Sequence, residues 1–341
     1  MTKVAIKKTA QEAVDALRKK YGNESVFVMS GDTVSKVDVI PSGSIGLNYA
    51  LGVGGYPRGR ITEIMGNESS GKTTLTLHAI SEAQKLGELC LFIDAEHALD
   101  VMYAKGIGVD LDSLLICQPD NAEQALDILV EAAGSGDFGI VVLDSVAALV
   151  PIKELDGESG DVHMGLMARM MSQAMRRVSG VARKTNTALV FVNQYRMNIG
   201  AASGYGPSKT TPGGKALGYY ASCRLDVARV QTLGAGNDST ANRTKVTVKK
   251  NKVAPPYRTT EFDIVFGAGI SIEGELIDAC VANKTVVKGG SWYKRPDGTV
   301  LSQGKESFKN LLIDDRGLFD ELMRGIDPAL LAGTGDRDES D

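Results

Sequence analysis

An α/β fold with a largely parallel central sheet is predicted by three features of this sequence. Short apolar runs alternate with helix-length stretches: 60–65 then 71–87, 89–93 then 97–106, 114–117 then 121–133, 140–143 then 163–185, and finally 188–192. The runs are apolar nearly throughout rather than alternating, as strands covered on both faces are. A glycine-rich turn joins the first run to the first long helix, the connection that a phosphate-binding strand–loop–helix unit needs.

The 341 residues suggest two domains at roughly 150 residues each. A composition of 43% hydrophobic and 23% charged residues excludes a disordered chain and a membrane protein. Net charge is 38 − 42 = −4, with an isoelectric point near 5.6. This excludes a protein that holds nucleic acid by bulk positive charge, but not one with a local basic surface. Cys90, Cys117, Cys223 and Cys280 form no C-x-x-C pair and sit among apolar or small neighbours, so they read as reduced core residues. His78, His97 and His163 do not cluster with them at zinc spacing.

Residues 3–21 read as a helix with a basic face of Lys7, Lys8, Arg18, Lys19 and Lys20. Such a helix fits a membrane surface, nucleic acid, or docking on its own domain or a neighbouring subunit. It lacks the apolar stretch of a secretory signal, and Glu12 and Asp15 weaken a mitochondrial presequence. No apolar run approaches membrane-spanning length, so the expected compartment is the cytoplasm. Gly22 stops the helix, and Ser25–Met29 is a short strand candidate. After the five apolar runs, 200–214 is a Gly/Ser/Thr/Pro stretch, followed by expected strands at 219–230, 243–250 and 260–266. Near Gly269 the composition shifts. A Gly-rich hairpin candidate at 288–304 and an end with nine acids against three arginines over 313–341 mark a small C-terminal domain with a frayed tail. The expected division is therefore 1–33, 34–269 and 270–341.

Gly66-Asn67-Glu68-Ser69-Ser70-Gly71-Lys72-Thr73 is a full G-x-x-x-x-G-K-T, followed by Thr74 and the helical Leu75, Leu77 and Ile80. Its glycines let backbone N–H groups converge on a β-phosphate at a helix start. Lys72 would reach the β- and γ-phosphates and Thr73 would offer its hydroxyl to Mg²⁺. Asp144 ends an apolar strand, at the sheet edge where this loop opens, and is the expected second metal group. Glu96, just past the strand end Leu91-Phe92-Ile93, is the candidate general base, ahead of His97. Gln194 follows the run 188–193. Its amide can bond a phosphate oxygen but makes a poor base, which is the profile of a switch.

Six basic residues, Arg243, Lys245, Lys249, Lys250, Lys252 and Arg258, occur with no acid between 243 and 260. The stripe reads as a solvated face, a polyanion site, or phosphate contacts to a neighbour. Arg169 and Arg176, seven apart on one expected helix, project on one face. Segment 196–214 carries Arg196, Met197, Ile199, Tyr205 and Lys209. That content suits a loop that orders on single-stranded nucleic acid, though substrate lids look similar.

Long runs carry a resemblance beyond any single motif: GNESSGKTTLTLHAI, LFIDAEHALD, VVLDSVAAL, DVHMGLMARMMSQAMRR, FVNQYRMNIG and ALGYYASCRLD. Over most of its length the chain resembles the bacterial RecA recombinase family, whether host- or phage-encoded. The resemblance implies a P-loop α/β core flanked by an N-terminal helix–strand for subunit assembly and a small α/β C-terminal domain. It implies a Mg²⁺-dependent, DNA-dependent ATPase that forms helical homo-oligomeric filaments on single-stranded DNA and pairs it with double-stranded DNA in strand exchange, recombination and repair. It also implies partners: a LexA-type repressor whose self-cleavage is stimulated in the SOS response, and filament-loading or regulatory proteins. By residue, it implies ATP binding by Gly66 to Thr74, an adenine pocket at Asp100 and the stacking Tyr103, catalysis by Glu96, Lys72 and Gln194, and metal binding by Thr73 and Asp144. Lys250 and Lys252 match a pair that reaches ATP from the neighbouring subunit. A first DNA loop matches 154–165 with Met164, and Arg169 and Arg176 lie just beyond it. A second, from Arg196 to about Pro212, carries Met197 and Ile199 and is followed by Gly213 and Gly214.

The chain departs from the family pattern at Asn67, where proline is usual, at Tyr195, where a smaller aliphatic is usual, and at Tyr205, where phenylalanine is usual. Its second loop is two residues longer, so no individual contacts are assigned between Ala201 and Lys209. A ring-forming helicase-like or circadian-type ATPase shares the hydrolysis motifs but not the two DNA loops. An accessory DNA-binding protein without exchange activity is a third reading, against which the intact Glu96 speaks.

Overall fold

Alternation along each strand divides the core in two. The computed structural model describes residues 8–22, 26, 37–157, 165–197, 209–234, 239–326 and 332–334. The chain separates between Val37 and Asp38. In the first part, α1 (Lys8–Tyr21) gathers Arg18, Lys19 and Lys20 in its last turn, where cations complement the helix dipole. The expected strand at 25–29 lies outside the described residues apart from Val26, whose carbonyl accepts from Arg18 Nε at 3.0 Å.

In the second part, β1 (Val39–Ile40) and β2 (Tyr56–Pro57) pair on either side of α2 (Ile45–Leu51), which Ser44 caps and Gly52 closes with φ 77°. The five apolar runs are β3 (Ile61–Gly66), β4 (Leu89–Asp94), β5 (Leu114–Cys117), β6 (Phe138–Asp144) and β7 (Ala188–Gln194). They are parallel, in spatial order β5–β4–β6–β7–β3. Helices α3 (Lys72–Lys85), α4 (Val101–Ile107), α5 (Ala122–Ser135), the short α6 (Ile152–Leu155) and α7 (Leu166–Thr185) connect or follow them. On one side Ile64, Phe92, Val142 and Val190 pack with Leu75 and Ile80 of α3. On the other Ile61, Leu143, Leu189 and Phe191 pack with α5 and α7. This is why the runs show no polar alternation.

β8 (Arg196–Met197) and β9 (Lys209–Thr210) pair antiparallel. After α8 (Ala216–Tyr220), β10 (Cys223–Leu233) extends the parallel set beside β3. The antiparallel β11 (Ala241–Asn251), β12 (Arg258–Val265) and β13 (Gly269–Ile270) complete that side. Then α9 (Ile272–Ala282), the three-stranded sheet β14 (Val287–Gly289), β15 (Trp292–Lys294) and β16 (Val300–Gln303), α10 (Lys305–Asp314) and α11 (Arg316–Gly325) form a third core around Leu276, Tyr293, Phe308 and Leu312. The strand β17 (Ala332–Thr334) returns to pair with β12.

Three sequence expectations shift. The strand expected from 219 begins at Cys223, because 216–220 forms a helical turn closed by Ala221 N–H to Leu217 O at 2.8 Å. The helix expected at 97–106 starts at Val101, since the Asp100 carboxylate caps it by accepting from Tyr103 N–H at 2.9 Å. The basic stripe is not one solvated face. Arg243 Nε pairs with Asp263 at 2.9 Å, and Arg258 stacks on Tyr49 while donating to its carbonyl. Asp263, on the neighbouring strand β12, thus neutralises part of a run that has no acid between 243 and 260.

Candidate active site

Strand register brings the candidate groups to one edge. Gly66 is level with Gln194 in the β3–β7 pair, and Asp94 with Asp144 in the β4–β6 pair. All four lie at the carboxyl ends of parallel strands, where ligands of such sheets bind.

The loop after β3 is shaped by close approach. A Cβ at residue 66 would stand 2.4 Å from Val227 O, and one at residue 71 would stand 2.4 Å from Ile264 Cδ1. Ser69 and Gly71 take positive φ, 56° and 97°, as in turns whose backbone N–H groups can gather around an anion. The Ser70 hydroxyl is buried with no partner. Lys72 is buried and its ammonium donates to Asn67 O at 2.7 Å. Burial holds its pKa below the usual lysine range, although Asp144, Glu96 and Glu68 oppose this. A phosphate would add a counter-charge in direct contact with an ammonium that now donates to a neutral carbonyl.

Thr73 Oγ1 donates to Asp144 Oδ2 at 2.6 Å. Burial pushes the Asp144 carboxyl up to about 6 despite that bond. Two hard oxygen donors side by side, one a carboxylate short of positive charge, fit Mg²⁺, which takes one or two protein ligands and fills its shell with water and phosphate. Among the described residues no cluster of three or more His, Cys, Asp or Glu could hold a metal.

Glu96 is held from two sides. Its Oε1 accepts from Gln194 Nε2 at 2.9 Å and from Ser145 Oγ at 2.5 Å. His97, the competing base, is exposed with φ 54°. Tyr103 is half-buried and its hydroxyl shares a 2.9 Å hydrogen bond with Thr74 Oγ1, so α4 is tied to the helix that follows the phosphate loop. Sequence reasoning missed Ser145. Its position directly after a strand-end acid was the available signal.

Elsewhere, Lys250 Nζ donates to Gly218 O at 2.7 Å and to Tyr219 O at 3.1 Å, and Lys252 Nζ to Tyr219 O at 3.3 Å. The two ammonium groups therefore converge on the end of α8. Burial, then the neighbouring Lys252, lowers the Lys250 pKa. Arg169 and Arg176 are exposed along α7, whereas Arg177 pairs with Asp127 at 3.0 Å. Arg196 is exposed and faces Thr210 across the β8–β9 pair, so the described ends of the second loop meet. Gly213 and Gly214, with φ 83° and 76°, leave no room for a side chain. A Cβ would meet Val146 Cγ1 at 2.9 Å or Ala168 Cβ at 2.7 Å. Met164 and Ile199 lie outside the described residues, as does the loop tip at 201–208.

Two family models match, the RecA N-terminal domain over residues 8–271 and the RecA C-terminal domain over 274–331. Protein RecA of Campylobacter fetus is 50% identical over 337 residues, 98% of this chain and 97% of that protein. Protein RecA of Paenarthrobacter aurescens is 51% identical over 326 residues, 96% and 93% of the two chains. The crystal structure of the RadB recombinase superposes with a TM-score of 0.51 at 21% identity, covering 68% of this chain and 98% of that one, a likeness of fold. With both domains matched in order and half of all residues identical over nearly the whole length, this chain belongs to the RecA family.

Proposed function

We propose that the carboxyl edge of β3, β4, β6 and β7 is the ATP-hydrolysing site of this recombinase, with Glu96 as general base and Gln194 as the link to DNA. As a member of the RecA family the protein is an ATP-dependent recombinase that forms filaments on single-stranded DNA and exchanges strands with duplex DNA. In our reading Gly66 to Thr74 cradle the phosphates and Lys72 neutralises them, while Asp100 and Tyr103 flank the adenine. Thr73 and Asp144 hold Mg²⁺, which when bound offsets phosphate charge. Glu96, fixed by Ser145 and Gln194, takes the proton of the attacking water. Lys250 and Lys252 reach the ATP of a neighbouring subunit. Met164, Arg169, Arg176, Arg196, Met197, Ile199, Gly213 and Gly214 meet DNA. We assign 1–33 to subunit assembly, 34–269 to the ATPase core and 270–341 to the small C-terminal domain. We place the protein in the cytoplasm, in keeping with the absence, among the described residues, of any helix long and apolar enough to cross a membrane. A LexA-type repressor and filament-loading proteins are the further partners of this reading.

The observation that carries the assignment is the shared Glu96 oxygen, which joins the base to the strand leading into the second loop. ATP hydrolysis measured with and without single-stranded DNA, followed by electron microscopy of the same mixture, tests it. DNA-stimulated turnover together with helical filaments is the expected result. Turnover indifferent to DNA, or closed rings only, would overturn it.

A further inference from the structure

Within the strands that lead to the candidate ATP site lies a buried polar joint to which the hydrolysis reading gives no role. Glu63 stands in the middle of β3, directly opposite Arg224 of β10 and diagonal to Asn193 of β7. Its carboxylate is 1% exposed and is bonded on both oxygens, Oε2 by Arg224 Nε at 2.7 Å and Oε1 by Asn193 Nδ2 at 3.1 Å. Asn193 is wholly buried and every part of its amide is engaged. Nδ2 also donates to Pro212 O at 3.2 Å, and Oδ1 accepts the Gln194 N–H at 3.0 Å. The amide orientation is forced, because Glu63 and Pro212 offer only acceptors and the Gln194 N–H only a donor.

We infer that Asn193, held by Glu63 and Arg224, is a positioning residue that carries the nucleotide state sensed at Gln194 to the returning end of the second DNA loop at Pro212. The inference rests on the reading of Gln194 and the 196–212 segment given above. One end of that segment is continuous with Gln194 through the backbone, and this would transmit movement to Arg196 unaided. The other end, at Pro212, is 19 residues from Asn193 in sequence, and Asn193 ties it to the sheet interior, beside the β8–β9 pair that joins Arg196 with Thr210. A shift of the peptide before Gln194 acts on Asn193 Oδ1, and the same planar amide acts on Pro212 O. Loop ends joined to one rigid group move together. Arg224 continues the joint outward, since a side chain at Gly218 would meet its guanidinium at 3.4 Å, and the Gly218 carbonyl holds Lys250.

Burial cost argues for such a role. Glu63 is 1% exposed and Arg224 30% exposed; burying such an acid adds little stability over well-packed apolar residues, whereas removing its arginine leaves an uncompensated buried charge. The neighbouring pairs of β3 and β7, such as Ile64 with Val192, show that apolar side chains fill this sheet without difficulty. What the polar joint adds is a single defined geometry at the point where β7 meets the loop.

The test compares Asn193→Asp, Glu63→Gln and Gln194→Ala with the unaltered protein. The readouts are affinity for a labelled single-stranded oligonucleotide with a non-hydrolysable ATP analogue and with ADP, analogue affinity, and melting temperature, all at one salt concentration. Asn193→Asp keeps the acceptor for Gln194 N–H but sets a carboxylate against Glu63 and the Pro212 carbonyl. The ratio of the two DNA affinities should collapse toward one, from a starting value within the roughly 5- to 150-fold range of allosteric couplings, with analogue affinity little changed. Adding Glu63→Gln to Asn193→Asp relieves the like-charge pair and should recover part of the ratio. If Gln194→Ala collapses the ratio while the Asn193 and Glu63 variants keep it and lose only melting temperature, the joint is structural and the inference is overturned. If Gln194→Ala itself keeps the ratio, the switch reading of Gln194 falls, and the inference with it.

Discussion

Gln194 Nε2 donates to Glu96 Oε1 at 2.9 Å, so the candidate sensor and the candidate base are bonded to each other before any nucleotide is considered. The amide carries two N–H bonds and spends one on Glu96, leaving the other for a phosphate oxygen. Ser145 Oγ reaches the same Glu96 oxygen. The base is therefore oriented by two different strand ends, β6 and β7, and its position depends on both.

Glu96→Gln keeps the side chain's shape and removes its basicity. Turnover should fall by about 10² to 10⁴, the range for losing a general base, with nucleotide binding retained. Ser145→Ala removes one of two donors and should cost less, about tenfold, through misorientation rather than loss of the base. Steady-state hydrolysis with and without DNA, beside calorimetric nucleotide affinity, checks both. A Ser145→Ala loss larger than that of Glu96→Gln would reverse the assigned roles.

Lys72→Ala removes the buried ammonium that Asn67 O now holds. ATP affinity should weaken by at least about tenfold, the worth of one charge-assisted hydrogen bond. Apo stability should hardly change, because burial disfavours this charge in the folded protein. Calorimetry and thermal melting separate the two effects. Unchanged ATP affinity would remove Lys72 from the phosphate site.

The parallel half of the sheet was legible because its strands are apolar on both faces, and the phosphate loop because its spacing has few other uses. Glu96, Asp144 and Gln194 were legible as polar residues at strand ends. Glu63 was not. One acid inside Ile61-Thr62-Glu63-Ile64-Met65 reads as a flaw in a strand until Arg224, far away in sequence, is seen opposite it. Glu275 was hidden for a related reason. An acid in the first turn of a helix is ordinarily a solvated dipole partner, yet here α9 packs that turn against α2. Pairings across sequence distance are tertiary facts, and local pattern carries no trace of them.

Glu275 supplies a pH prediction. Its carboxylate is buried and accepts from Ser44 Oγ at 2.8 Å, Ile45 N–H at 3.1 Å and Gly46 N–H at 3.2 Å. Burial nonetheless pushes its pKa up to about 7, and Asp278, itself paired with Lys305 at 2.6 Å, adds to the rise. A raised folded pKa means that the unfolded chain releases this proton first. The contribution is whole below the ordinary value of 4.5 and is lost as pH climbs through about 7. Integrated over that window it amounts to about 3 kcal/mol. Glu275→Gln has no such titration, so the melting temperature of the unaltered protein relative to this variant should fall between about pH 5 and about pH 8. A difference independent of pH would show that the hydrogen bonds, not burial, set the carboxyl's state.

The last prediction concerns assembly. Lys250 and Lys252 crowd two ammonium groups onto the carbonyls of Gly218 and Tyr219 at the end of α8, in β11 and the turn after it. Like charges so close repel, and burial already lowers the Lys250 pKa, so the pair is primed for an external anion. In our reading that anion is the ATP of a neighbouring subunit. Changing both lysines to alanine should leave each subunit folded and able to bind nucleotide at its own loop, because neither ammonium takes part in that loop's hydrogen bonds. DNA-stimulated hydrolysis should fall by about 10²-fold or more, as when a charge clamp on a transferring phosphoryl group is removed. Mixing the double variant with Lys72→Ala should restore a fraction of the activity. At some mixed interfaces one subunit supplies an intact phosphate loop and its neighbour the intact lysines. Turnover of the mixture, with co-assembly shown by light scattering, is the measurement. Co-assembled mixtures no more active than the sum of their parts would mean that the lysines act within their own subunit, holding α8 in place rather than reaching across.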